Sequence, residues 1–254
     1  LIMPSILLVT NDFGPRAGGI ETFIIGLLER LPKGEVIVYT SRQSGSESFD
    51  KKWLDNFGVK VIRDASKILL PSPRVIRAVR KVIKQSKIEK VWFGAAAPLA
   101  ISARFLRVGN VKKIVALSHG HEVWWSKVFP FNLAMKEIAR SVDVLTFLGD
   151  YTGSVIKKNF KGRAKLVKIA PGIDINHFKP ERDLSKISEV RSELKIGSEP
   201  LILSVGRLVH RKGQDKLITA MPKILVKRPD AKLLFIGQGP RKAKLDSLIA
   251  KYGI

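Results

Sequence analysis

Alternation along the chain predicts an α/β protein with a doubly wound parallel sheet, followed by the start of a second unit of the same kind. Three observations carry this expectation. Short apolar, β-branched runs recur through the 254 residues, segments with helical spacing lie between them, and a Pro-, Gly- and Asn-rich stretch precedes a fresh start of the pattern.

Taken in order, residues 6–9 (ILLV) read as a strand. Residues 20–31 carry helical spacing through Phe23, Ile24, Leu27, Leu28 and Leu31 until Pro32-Lys33-Gly34 breaks it. Residues 36–39 form the next β-branched run, and the polar, Ser-rich residues 42–49 read as a mobile loop. A strand over 59–62, a helix over 73–87 and a strand over 90–93 follow. Runs at 114–117, 142–147 and 166–169 continue the series, with helical segments between them. The stretch "APGIDINHFKPERD" (170–183) has the composition of a linker. Beyond it come a short helix over 191–195, a strand at 201–206, a helix at 213–226, a strand at 231–237 and a helix at 240–250. Two strands cannot bury both faces of a doubly wound sheet, so the second unit reads as cut short. The expected domains are 1–176 and 177–254.

Composition bounds the function. Hydrophobic residues at 45% and charged residues at 27% are globular values and exclude wholesale disorder. The absence of cysteine removes disulfides, thiolate metal sites and cysteine nucleophiles, and fits a cytoplasmic setting. A net charge of +24 and a pI near 10.4 favour anionic partners, whether phosphorylated ligands, acidic lipid or nucleic acid. Lysine-rich compositional bias explains the same numbers without any partner. The N-terminal apolar run is far too short for a signal or spanning segment. Leu1-Ile2 stand before Met3-Pro4, so the chain is expected to begin slightly upstream of a natural start.

Four stretches carry candidate chemistry. In "TNDFGPRAGGIETF" (10–23), Gly18-Gly19 precede a helix, where unpaired N–H groups and the missing Cβ admit a phosphate. A tight, ligand-free turn fits equally well, and the spacing matches neither common nucleotide-loop motif. In "SVGRLVHRKG" (204–213), Arg207 and Lys212 follow a strand-ending glycine, as a diphosphate clamp or as a basic surface loop. The weaker "IGQGP" (236–240) has a similar form. In "SHGHEVWW" (118–125), His119 and His121 stand beside Glu122. A metal would need further ligands that are not supplied locally, so polar contact in a cleft walled by Trp124 and Trp125 is preferred over a metal site, with a buried structural histidine as the plainer alternative. No Asp-x-Asp pair occurs, which weakens a divalent-metal diphosphate site. In residues 71–90, apolar positions 75, 76, 79, 82 and 83 form one stripe, and Arg74, Arg77, Arg80, Lys81, Lys84 and Lys87 fill the rest. Such a helix can lie on an anionic membrane, although every crossover helix is amphipathic.

Together the Gly-Gly loop, the "PGID…F-P" linker and "VGRLVHRKG" resemble the family-4 glycosyltransferases, across the whole chain. The resemblance implies the GT-B architecture, two facing Rossmann-like domains with the acceptor side first, the second incomplete here. "VTNDFGPRAGGIETF", "VWFGAAAPL", "HGHEVWW", "DVLTFLGDYT" and "APGID" look like the branch that moves mannose from GDP-mannose to a phosphatidylinositol mannoside, part of phospholipid biosynthesis. It implies that Gly18 and Gly19 meet the donor diphosphate, that Arg207 and Lys212 clamp it, and that His119 contacts the donor sugar near the reacting carbon. Asp12, His121 and Glu122 are further sugar or acceptor contacts in that reading. Retention of configuration without a metal or other cofactor is implied too, as is peripheral attachment to the inner face of the cell membrane. The family's Glu-x7-Glu element would fall beyond Ile254, so residues 1–254 alone are expected to lack part of the donor pocket. Two other readings stand beside this one. The first is the same chemistry with another nucleotide sugar or a polysaccharide acceptor. The second is a non-enzymatic module for acidic membrane or nucleic acid, ranked last because the basic helix lacks the interleaved aromatics of a nucleic-acid surface.

Overall fold

A computed structural model describes residues 4–159, 162 and 164–254, so the start expected at Met3 lies outside the described residues. The chain divides into two compact units, Leu1–Ile173 and Asp174–Ile254. The first alternates strictly: β1 (Ile6–Thr10), α1 (Gly19–Leu28), β2 (Val36–Thr40), α2 (Ser46–Phe57), β3 (Lys60–Arg63), α3 (Pro73–Gln85) and β4 (Lys90–Phe93). A 3₁₀ helix (Leu99–Phe105), β5 (Lys113–Leu117), α4 (Glu122–Trp125), α5 (Phe131–Ser141), β6 (Val144–Phe147), α6 (Asp150–Asn159) and β7 (Lys165–Lys168) complete it. All strand pairs are parallel, in the order β3-β2-β1-β4-β5-β6-β7, with Leu8 beside both Val38 and Trp92.

The order reverses between β1 and β4. Right-handed crossovers therefore send α1 and α2 to one face of the sheet, and α3, the 3₁₀ helix, α5 and α6 to the other. Two separate cores record this division. One gathers Leu8, Ile24, Leu28, Val38 and Trp53; the other gathers Val79, Ile83, Phe93, Ile138 and Ile156.

The loop expected over 42–49 is a correction. A helix begins at Ser46, because Phe49, Trp53 and Phe57 recur every four residues and stack, with centroids 6.2 and 4.7 Å apart. Phe13 inserts edge-on between the first two, 5.3 Å from each. Serine content concealed that aromatic stripe. Gly14 is fixed by the same cluster, since a Cβ there would lie 2.4 Å from the Phe49 ring.

Arg74 also departs from expectation. Its guanidinium grips the buried Asp64 carboxylate through two hydrogen bonds of 2.7 and 3.0 Å and bonds the Ser66 hydroxyl at 2.7 Å. The Tyr39 hydroxyl donates to the same carboxylate. Arg74 is thus committed to the fold rather than free on a membrane face.

In the second unit, α7 (Leu184–Glu193) lies earlier than the helix expected over 191–195, because Asp183 caps it by accepting from the Ser185 N–H at 3.0 Å. β8 (Leu201–Val205) and β9 (Lys232–Ile236) pair in parallel, with α8 (Gln214–Lys227) and α9 (Lys242–Tyr252) packed through Leu208, Ile218 and Leu245.

Phe13→Ala should cost about 3–5 kcal/mol in chemical denaturation, the usual range for truncating a fully buried aromatic. Arg74 hydrogen bonds hold the Asp64 carboxyl well below its ordinary 3.8. Stability from that carboxylate is therefore complete above 3.8 and is lost as pH falls toward the lower folded value. The melting-temperature gap between the native protein and Asp64→Asn should be widest near neutral pH and should shrink below that point.

Candidate active site

The carboxyl ends of β1, β4 and β5 flank the reversal of strand order, where the diverging crossovers leave a crevice. Beyond β1, the Thr10 hydroxyl accepts from the Asp12 N–H at 2.9 Å, and the Asn11 amide bridges to the Leu69 backbone at 2.7 and 3.0 Å. Asp12 lies 3.4 Å from Arg16, which binds Glu21 at 2.6 Å. Burial raises the Asp12 carboxyl above its ordinary value and Glu21 adds to this, against the opposing charges of Arg16, His119 and His121. The Arg16–Glu21 pair carries no signal in the sequence, since the two residues stand five apart across a glycine turn.

The two glycines of the loop have different tasks. Gly18 is extended, and a Cβ there would lie 2.1 Å from Glu21 Oε2, an oxygen of the carboxylate that Arg16 pins. A Cβ on Gly19 would meet nothing within 4 Å. The N–H groups of Gly19 and Ile20 have no acceptor among the described residues, so α1 presents free donors and the positive end of its dipole. Beside Gly19 opens a hollow of about 340 Å³, lined by Thr22, Phe23, Gly26, Arg30 and residues 170–173.

Gly94, just past β4, must be glycine because a Cβ would approach Thr10 Oγ1 to 2.5 Å. Its carbonyl lies 2.6 Å from His119 Nε2. A carbonyl only accepts, so Nε2 carries the proton and Nδ1 is the ring's remaining polar atom. Phe23 meets the His119 ring edge-on at 5.7 Å, linking it to the hollow beside Gly19.

Glu122 departs from its expected role as a sugar or acceptor contact. It is fully buried, and Oε2 accepts from the Ser118 hydroxyl at 3.0 Å and from the His119 and Gly120 N–H groups at 3.1 Å each. It fastens the turn that carries His119. His121 is more exposed, with Nε2 3.3 Å from both the Ala97 carbonyl and Glu122 Oε1.

In the second unit, Arg207 and Lys212 are exposed, and neither side chain has an ion-pair or hydrogen-bond partner among the described residues. Lys212 lies over Gly206, with Cε 3.8 Å from the position a Cβ would take. The "IGQGP" glycines are structural: a Cβ on Gly237 would sit 2.1 Å from the Gly206 carbonyl oxygen, and one on Gly239 2.4 Å from that of Leu208. That close approach permits Leu208 N–H to donate to Gln238 at 2.9 Å and Arg241 N–H to Leu208 at 3.2 Å, which sets the Arg207 loop.

On α3, Arg77, Lys81 and Lys84 are exposed and Arg80 half-buried, around a shallow hollow of about 410 Å³. Among the described residues, no helix is long and apolar enough to cross a membrane, and no three His, Asp or Glu side chains form a metal-ligand set.

Two parallel-sheet units, with a donor-rich helix start in one and unpaired cations in the other, are the fold of the GT-B glycosyltransferases. The chain belongs to glycosyltransferase family 4, which it matches over residues 17–177, and residues 185–254 match the glycosyl transferases group 1. It is 37% identical over 250 residues to the GDP-mannose-dependent alpha-(1-6)-phosphatidylinositol monomannoside mannosyltransferase of Mycolicibacterium smegmatis, covering 98% of this chain and 65% of that protein. The corresponding enzyme for the monoacylated lipid from Corynebacterium glutamicum is 36% identical, with 95% and 63% covered. The chain thus spans a little under two thirds of the length of these relatives. Anabaena HepE with UDP and glucose bound superposes with a TM-score of 0.73 at 18% identity, over 98% of this chain and 66% of that one. Sucrose-phosphate synthase from Thermosynechococcus elongatus gives 0.71 at 17%, over 98% and 68%. At such identities the likeness is one of fold.

Gly94→Ala should destabilise the protein by about 1–3 kcal/mol, as overpacking does, because its Cβ would meet Thr10 Cβ at 2.6 Å, whereas Gly19→Ala should stay within about 0.5 kcal/mol. Urea titration of the two variants checks this, and equal losses would contradict the division of tasks.

Proposed function

We propose that the complete protein is a retaining mannosyltransferase that moves mannose from GDP-mannose to a phosphatidylinositol mannoside at the inner face of the cell membrane. The observation that carries this reading is the crevice beside the strand reversal, where the free N–H donors of α1 and the fastened His119 share the Phe23 wall. Identity of 37% to a protein named for that donor and acceptor supports the choice of substrates.

In this reading Gly19, next to the Gly18 turn, admits the donor diphosphate to the helix start, and His119 contacts the donor sugar. Asp12 and His121 contact sugar or acceptor. The bond from sugar C1 to the diphosphate oxygen breaks as the acceptor oxygen bonds C1 from the same face, and the departing diphosphate takes the acceptor's proton. Negative charge grows on the leaving group, and Arg207 and Lys212, unpaired on the Gly206 loop, stabilise it as a bidentate fork and a point charge. Departure then needs no metal. Arg77, Arg80, Lys81 and Lys84 meet acidic headgroups from the outside of α3, so attachment is peripheral.

The test is transfer of labelled mannose from GDP-mannose into extracted phosphoinositides by the complete protein, with the product's anomeric configuration read by NMR. Transfer from UDP-glucose but not from GDP-mannose would overturn the donor. Arg207→Ala and Lys212→Ala should each lower kcat/KM by roughly 10²–10³-fold. Activity should survive excess EDTA, and its loss, with recovery on adding magnesium, would overturn the metal-free departure.

A further inference from the structure

The helices on the second face of the first unit's sheet carry two surface features, of which charge is only one. Just after the turn that holds His119, α4, the segment that follows it and the start of α5 expose Trp124 (54%), Phe129 (74%) and Leu133 (52%). These are not loose tails. The Trp124 ring stacks on Phe131 at 5.0 Å, Trp125 backs Phe131 at 4.8 Å, and Leu133 projects from a helix whose inner side buries Met135 and Ile138. Exposed lysines and an arginine surround the apolar group at Lys127, Lys136 and Arg140. No ion pair neutralises those three among the described residues.

Large aromatic and aliphatic side chains exposed to water, with cations beside them, have the chemistry of a segment that sits at the boundary between headgroups and acyl chains. Topology supplies the second argument. α3 and α5 follow crossovers of the same direction, lie on the same face of the sheet and share one core, so the cationic side of α3 and the Trp124–Leu133 plateau belong to one layer. We infer that this plateau inserts into an anionic bilayer, with Trp124, Phe129 and Leu133 entering the acyl boundary while Lys127, Lys136 and Arg140 meet acidic headgroups. The inference rests on the lipid acceptor proposed above and assigns the apolar part of the docking surface to residues outside α3.

Cations and apolar groups differ in salt dependence, which separates their contributions. The complete protein is sedimented with phosphatidylcholine vesicles containing phosphatidylinositol, without donor or acceptor, at low salt and at about 0.5 M salt, where the Debye length falls below ~5 Å. Phe129→Ser/Leu133→Ser should lower the partition coefficient about tenfold or more at both salt levels. Arg77→Ser/Lys81→Ser should lower it only at low salt. Trp124 fluorescence should shift to the blue on vesicles and be quenched by brominated acyl chains, a response that Trp124→Phe abolishes. Unchanged melting of the serine variants establishes that they fold. Native-like partition of Phe129→Ser/Leu133→Ser would overturn the inference. So would a loss of melting temperature that marks the patch as an internal or subunit interface. Vesicle binding is read without catalysis, so absent transfer with intact binding would count against the proposed reaction alone.

Discussion

Between β1 and β4 the winding of the sheet changes direction, and this geometric necessity underlies the candidate site. Helices leaving the two strands go to opposite faces, so the carboxyl ends there are not roofed by a crossover. An uncovered crevice requires that its loops be held from within. Gly94 lets its backbone pass within reach of Thr10, and its carbonyl then fixes the tautomer and position of His119. Glu122 holds the backbone of the same turn by accepting from the His119 and Gly120 N–H groups. A buried carboxylate is costly unless it is satisfied, and three donors from Ser118, His119 and Gly120 satisfy one oxygen. The catalytic candidate is therefore positioned by two neighbours that are themselves buried.

Glycine serves two opposite purposes in the chain. At Gly18, Gly94, Gly237 and Gly239 the missing Cβ makes room for the protein's own atoms, and the consequence is a fixed loop. At Gly19 the missing Cβ leaves open space beside free N–H groups, and the consequence is room for something else. Sequence alone does not separate these cases, because both appear as a glycine between a strand and a helix. The separating fact is what stands in the Cβ direction. At Gly18 it is Glu21, which a reading limited to adjacent residues does not connect with Arg16.

The periodic part of the fold was legible because parallel strands buried on both faces leave uninterrupted apolar runs, as at β1 and β2. The α2 helix was hidden, since its buried side is only Phe49, Trp53 and Phe57 among polar residues, and those three matter through Phe13, far away in sequence. Of the candidate residues, Gly19, Arg207 and Lys212 are chosen from local motif and charge, and His119 over His121 from the family resemblance. Long-range partners cannot be chosen so. Asp64 lies ten residues before Arg74, yet nothing local says that a buried carboxylate and Tyr39 remove that arginine from the cationic surface. Glu122 was misread for the related reason that burial is a property of the tertiary neighbourhood.

Net charge of +24 does not by itself orient a protein on a membrane, because charge spread over every face attracts without selecting one. Selection requires a local excess that internal carboxylates do not cancel. On α3, Arg74 is cancelled by Asp64, and the side chains that line the shallow hollow are what remains. Coulomb attraction from them is long-ranged but shallow in angle and weakens with salt. Apolar insertion is short-ranged, insensitive to salt and demands contact, so it fixes the tilt that attraction leaves loose. In the proposed docking, a layer that carries both, with Trp124 close in sequence to the turn holding His119, would couple the position of the bilayer to that of the crevice. The proposed lipid acceptor would require that coupling, since a headgroup extends only a short way from the surface in which its chains remain.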